Sequence, residues 1–131
     1  MTKSLLLIGL GGGLGSIARF LVSRLGSRID WLSMPVGTLT VNVLGCFLLG
    51  ATVRWLQVSA ASPALRPFLT VGLLGAFTTF STFSFETVAL VQEGQWARAG
   101  VYVGGSMAFG LAAMILGMGL VTVLTRAGGG S

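Results

Sequence analysis

Gly72-Leu73-Leu74-Gly75-Ala76-Phe77-Thr78-Thr79-Phe80-Ser81-Thr82-Phe83-Ser84-Phe85-Glu86 is apolar enough to lie in lipid, yet its centre is built from residues that hold a helix poorly. Glycine and hydroxyl residues lower helix propensity, and Ser and Thr side chains can satisfy backbone groups that a break sets free. The stretch therefore predicts a helix broken near its middle. At membrane depth such backbone is tolerated only where protein buries it or water reaches it, so the break is itself a candidate site.

The surrounding composition places this segment in a bilayer. The 131 residues are 53% hydrophobic and 8% charged, with a mean hydropathy of +0.92, whereas an ordinary soluble domain is roughly 25% charged. A short soluble chain buries only about 60 to 70% of its unfolded surface and could not hide this much apolar area. Four apolar stretches, residues 4–23, 33–56, 67–91 and 97–125, each reach the ~20 residues that a membrane crossing needs. Trp31, Trp55 and Trp96 fall at their ends, where indoles favour the headgroup level. Lys3 ahead of the first stretch resembles the start of a signal peptide, but further spans follow in place of a soluble domain, so it is read as the first helix. The expected fold is an all-α integral membrane protein of four transmembrane helices, one domain over residues 1–126, with residues 127–131 a flexible tail.

Most chemistry is excluded by what the chain lacks. With no His, one Cys and three acids (Asp30, Glu86, Glu93), it cannot assemble a His-based triad, a zinc centre or a disulfide. Cys46 reads as a small buried hydrophobe. The net charge of +5 does not indicate nucleic acid, because its Lys and Arg stand singly between apolar runs. Gly13-Leu14-Gly15-Ser16-Ile17-Ala18, with Asp30 downstream, matches a dinucleotide fingerprint, but the alternating strands and charged helix faces of such a domain are missing. Gly11 with Gly15, Gly12 with Ser16, and Gly100, Gly104, Ala108 and Ala112 instead form small-xxx-small spacings that let helices approach closely in lipid.

Orientation is left almost undetermined. Lys3, Arg54, Arg66 and Arg126 fall on one side of a four-span chain; Arg24, Arg28 and Arg98, with Arg19 near a span end, fall on the other. Because Lys/Arg bias sets topology, this balance predicts insertion both ways up and an antiparallel homodimer about an axis in the membrane plane.

Within the spans, polar residues gather on particular faces. Thr38 and Asn42 are four apart on the second helix, as are Tyr102, Ser106 and Gly110 on the fourth. Asn and hydroxyls serve equally as interhelical hydrogen-bond donors and as pore lining. Phe80 and Phe83 share a face inside a cluster with Thr79 and Thr82, and aromatic edges carry partial positive charge that can face an anion. Glu86, one turn after Thr82, is an acid in a span and thus a functional candidate, a snorkelling group or a partner for Arg. Arg19 is expected to be an interfacial or helix-end partner, for a carboxylate or carbonyls, with a pore role as the second reading. Carbonyls converging from the break in two antiparallel copies would suit a cation such as Na⁺.

The motifs Gly12-Gly13-Leu14-Gly15-Ser16-Ile17-Ala18-Arg19-Phe20, Gly37-Thr38-Leu39-Thr40-Val41-Asn42 and Gly75-Ala76-Phe77-Thr78-Thr79-Phe80-Ser81-Thr82-Phe83-Ser84 resemble the Fluc (CrcB-like) fluoride channel family, in order and across all four spans. The resemblance implies a passive, dual-topology dimer in the inner (plasma) membrane, with two pores that export cytoplasmic fluoride and relieve its toxicity. It also implies a structural Na⁺ at the dimer interface, held by the backbone carbonyls of Gly75 and Thr78. By the same match Phe80 and Phe83 are pore-facing rings, Asn42 and Thr38 offer hydrogen bonds, and Tyr102 and Ser106 line the fourth helix. Gly110 stands where a hydroxyl would continue that polar track, and Ala76 where glycine is common. A competing reading is a small four-helix proton-coupled multidrug or cation antiporter, in which only Glu86 could be the exchanging acid. Such an exchanger is expected to carry its acid deep in the first span, which has none. A structural subunit without transport activity is a third reading, in which Phe80 and Asn42 would matter only for stability.

Overall fold

The computed structural model describes residues 1–28 and 34–128; Asp30 and Trp31 lie outside the described residues, as do residues 129–131. Four apolar segments are long enough to cross a membrane: Thr2–Gly26, Val36–Val58, Pro67–Gln92 and Trp96–Gly128. The first is helix α1 and the second helix α2. The third is composite: Pro67–Leu73 is wound as a π-helix, α3 (Leu74–Phe77) continues it, and α4 (Phe80–Gln92) follows a break at Thr78 and Thr79. The fourth is one continuous helix, α5 (Trp96–Gly128).

The break falls inside the stretch that the residue types singled out. Thr78 (φ −78°, ψ 157°) and Thr79 (φ −146°, ψ 115°) are both extended. Upstream, the N–H of Leu74 donates to the Leu69 carbonyl five residues back, and Pro67 opens the segment where a missing N–H costs nothing. The wide π turn was not legible in the composition. It lays Gly72 on α1, where an added Cβ would sit 2.7 Å from the Ile8 carbonyl oxygen. Gly11 and Gly15 answer from the other side, meeting the backbone of Phe68 and Leu73.

Close helix approach through glycine recurs where α2 packs on α5, the most extensive pairing in the chain. Gly50 lies against the Met114 backbone, and Gly117 against the carbonyl of Phe47. The predicted stripe on the same helix behaves otherwise: Gly100 and Gly104 face open space, and Ala108 and Ala112 are exposed. Between α4 and α5 the turn is short. Gly94 adopts φ +76°, and the N–H of Gln95 donates back to the Leu90 carbonyl (2.8 Å), closing α4 with a left-handed residue that suits glycine.

The outer surface is the apolar one. Leu5, Leu10, Leu14 and Ile17 on α1 are exposed, as are Ile115 and Leu116 on α5. Trp55 and Trp96 stand exposed at span ends as expected. The interior is small and partly polar: Val41 and Tyr102 are fully buried, joined by Leu74, Phe77, Thr38 and Thr79. This pattern fits a solvent as apolar as Leu, in which packing and hydrogen bonds join helices.

Since the α1 contact tolerates no side chain, Gly72→Leu is expected to displace the third span from α1. Thermal unfolding of detergent-solubilised protein should show a clear loss of stability, while Gly104→Leu, in open space, leaves the isolated subunit fold unchanged.

Candidate functional site

Breaking a helix in a membrane frees backbone groups that water cannot reach, at several kcal/mol for each one left unpaired. Asn42 answers this need from α2. Its amide NH₂ donates to the Thr79 carbonyl (3.0 Å), and its Oδ1 accepts the Thr79 N–H (2.8 Å), so both backbone groups of one extended residue are held by one side chain. Thr79 in turn caps α4: its Oγ1 accepts the N–H of Thr82 (3.2 Å) and lies 3.0 Å from the Thr82 hydroxyl. Gly45, one turn beyond Asn42 on the same face of α2, leaves room for Thr78 and Phe77.

These contacts redirect the helical ladder. In a continuous helix the Thr79 N–H would serve the Gly75 carbonyl and the Thr82 N–H the Thr78 carbonyl. Both donors are taken by side chains. The Thr78 N–H (3.1 Å) and hydroxyl (3.2 Å) both go to Leu74, leaving the carbonyls of Gly75 and Thr78 without their ladder partners. Gly75 is exposed and Thr78 half-buried.

A second cluster forms one turn up α4. Thr38 donates to Oε1 of Glu86 (2.8 Å) and Tyr102 to Oε2 (2.7 Å), so α2, α4 and α5 meet on one carboxyl group. Glu86 is thus paired with hydroxyls, not with Arg. The Phe83 ring packs on Tyr102 (centroids 5.2 Å apart, planes tilted by 44°) and on Phe80 (5.8 Å, 39°). Phe80 itself is 79% exposed despite that contact. Ser106, one turn along α5 from Tyr102, has a buried hydroxyl with no hydrogen-bond partner among the described residues. Gly110 is buried one turn further, facing Cys46.

The Glu86 cluster opens into a cleft of about 640 Å³, whose walls include Thr38, Thr82 and Glu86. It is lined as well by Phe20, Ser23 and Arg24 of α1, by Ser27 just beyond that helix, and by the start of α2. Reading the sequence missed this α1 face, although the spacing of those four residues (i, i+3, i+4, i+7) was a visible helical stripe. Arg19 is half-buried on α1 outside the cleft lining. The predicted residues therefore fall into groups: Asn42, Thr79 and Thr82 at the break; Thr38 and Tyr102 on Glu86, with Phe83 packed on Tyr102; Ser106 one turn further along α5; and Phe80, Gly75 and Thr78 exposed to differing degrees.

Comparison with known proteins joins this arrangement to a family. Residues 6–118 match the family described as "CrcB-like protein, Camphor Resistance (CrcB)". The chain is 47% identical over 119 residues to a protein of Shewanella sp. (strain ANA-3) named fluoride-specific ion channel FluC, covering 91% of this chain and 96% of that one. Proteins of the same name from Shewanella baltica (strain OS185) and Shewanella oneidensis are each 46% identical over 119 residues, with the same coverage.

Replacing Asn42 by Leu leaves the Thr79 N–H and carbonyl unpaired, at about 1 to 3 kcal/mol for each group. Asn42→Leu is therefore expected to lower the unfolding temperature in detergent markedly. Asn42→Asp, which keeps an acceptor for the Thr79 N–H, should be milder.

Proposed function

Because the chain belongs to the CrcB-like family, we propose that it is a fluoride-selective passive channel of the plasma membrane, through which cytoplasmic fluoride leaves and its toxicity is relieved. The observation that carries the reading is a set of buried or half-buried hydroxyls: those of Thr38 and Tyr102, which donate to Glu86, and that of Ser106, one turn along α5 from Tyr102, with no hydrogen-bond partner among the described residues. Fluoride is small, tightly hydrated and a strong acceptor, so a narrow path must replace its water with several donors. Buried hydroxyls and ring edges do so without a Lys or Arg that would hold the ion too tightly to release it.

The geometry also suggests how passage works. Thr38 and Tyr102 each have a single hydroxyl proton, and both now donate to Glu86. Fluoride reaching this point competes with the carboxyl group for those protons, so Glu86 keeps the donors satisfied when no ion is present. The edge of Phe83, packed on Tyr102, adds a partially positive wall.

The working unit is proposed to be an antiparallel homodimer with two pores. Supporting this are the balanced Lys/Arg distribution, the exposed Phe80 ring and the bare glycine face of α5, all of which a second copy would cover. Asn42 fits a role at the break better than a free donor in the path, since its Oδ1 and one amide hydrogen are engaged there. The Gly75 and Thr78 carbonyls fit a Na⁺ ion, being oxygen donors stripped of their ladder partners and partly open to the outside. When bound between two copies, the ion would supply a fixed positive charge beside the break. The antiporter reading is not favoured: Glu86 is committed to two hydroxyl donors, and the curated relatives carry the name of a channel.

Purified protein in liposomes, followed with a fluoride electrode, is expected to release fluoride without a proton gradient and to retain chloride. Phe80→Ile and Phe83→Ile should each reduce the flux at least several-fold while dimer assembly persists; normal flux in both would remove the rings from the path. Drug-driven proton exchange in place of fluoride release would overturn the channel reading.

A further inference from the structure

Among the described residues that line the cleft over Glu86, two side chains are chargeable, Glu86 of α4 and Arg24 of α1. Of these two, only Arg24 carries a charge that favours an anion. The rest of the described lining is neutral: the hydroxyl-bearing residues Ser23, Ser27, Thr38 and Thr82, with apolar side chains between them. Arg24 occupies the last turn of the membrane-spanning helix α1 and is exposed. The Ser27 hydroxyl donates to the Arg24 carbonyl (3.0 Å), satisfying one of the open carbonyls of this helix end. The start of α2 faces the same space through Val36, Gly37 and Thr38. Its first turn has no side-chain cap, so its partial positive charge adds to that of Arg24.

From this placement we propose that Arg24 is the anion-concentrating charge at the mouth of the pathway, raising local fluoride above its bulk level and offsetting the Glu86 carboxyl. The inference rests on the fluoride-channel reading. Arg24 makes no contact with the Thr38–Glu86–Tyr102 cluster and acts through the field it sets up in a cleft with low-dielectric walls, where such fields are focused. Its influence must therefore depend on ionic strength. The screening length is about 30 Å at 0.01 M and about 3 Å at 1 M, so the charge reaches across the cleft in dilute salt and hardly at all in concentrated salt.

The test is fluoride efflux from liposomes at subsaturating fluoride, with ionic strength set by an impermeant salt. Arg24→Gln is expected to lower the flux about two- to fivefold near 0.01 M, the size of one unit charge acting over roughly 10 Å, and to match the wild type near 1 M. Arg24→Lys should behave as wild type at both, and fluoride/chloride selectivity should not change. To separate charge from folding, Arg24→Cys in a Cys46→Ala background is purified as the assembled protein and modified before reconstitution. Its thiol displaces sulfinate from a methanethiosulfonate reagent to form a mixed disulfide. An ammonium-bearing reagent should raise the flux at low salt and a sulfonate-bearing one should depress it further. Equal flux for the two adducts, or a defect in Arg24→Gln that persists at high salt, would overturn the role of Arg24 while wild-type conduction upholds the channel. A silent wild type would overturn both.

Discussion

Asn42 holds both backbone groups of Thr79, and the rest of the site depends on that one side chain. In water an extended pair of residues between two helices is unremarkable. In hydrocarbon it is tolerable only if every freed N–H and C=O finds a partner inside the protein. The double hydrogen bond meets that demand for Thr79, and Thr79 then turns its own hydroxyl to the start of α4. Once α4 is restarted in this way, its faces are fixed: Phe83 and Glu86 turn toward α2 and α5, and Phe80 turns outward.

Satisfying the break also has a directional effect. Each donor drawn to a side chain is withdrawn from a main-chain carbonyl, so stabilising the N–H groups leaves the oxygens of Gly75 and Thr78 seeking partners. The local structure is thus rich in acceptors beside the break and rich in hydroxyl donors one turn away at Glu86. Two adjacent regions of opposite hydrogen-bonding character arise from the same few residues.

Much of this was legible in the residues. Four spans, Trp55 and Trp96 at span ends and the position of the break follow from composition, length and the run Phe77-Thr78-Thr79-Phe80-Ser81-Thr82, because those depend on local chemistry. The shared face of Thr38 and Asn42 was legible from spacing alone. What each of them bonds to was not: their partners lie far along the chain, and only the packing of α2 on the third span brings them together. The π-wound Pro67–Leu73 was hidden for the same reason, since its width is matched to the glycine surface of α1 and not marked by any residue of its own. Glycine spacing misled in the opposite sense on α5, where Gly117 makes the tight contact and the more regular Gly100 and Gly104 meet nothing in this chain.

The helices are unequal, and this couples the protein to the thickness of its membrane. At 1.5 Å per residue the 33 residues of α5 extend about 50 Å and the 23 of α2 about 35 Å, against a hydrocarbon core of ~30 Å. Helix α5 therefore tilts, or carries its ends well past the acyl chains. A thicker bilayer covers more of α5 but pulls the shorter α2 inward, and the two are locked together through Gly50 and Gly117. Lipid chain length thus loads the α2–α5 seam directly, and through Asn42 and Thr38 on α2 it bears on the break and on the hydroxyls around Glu86.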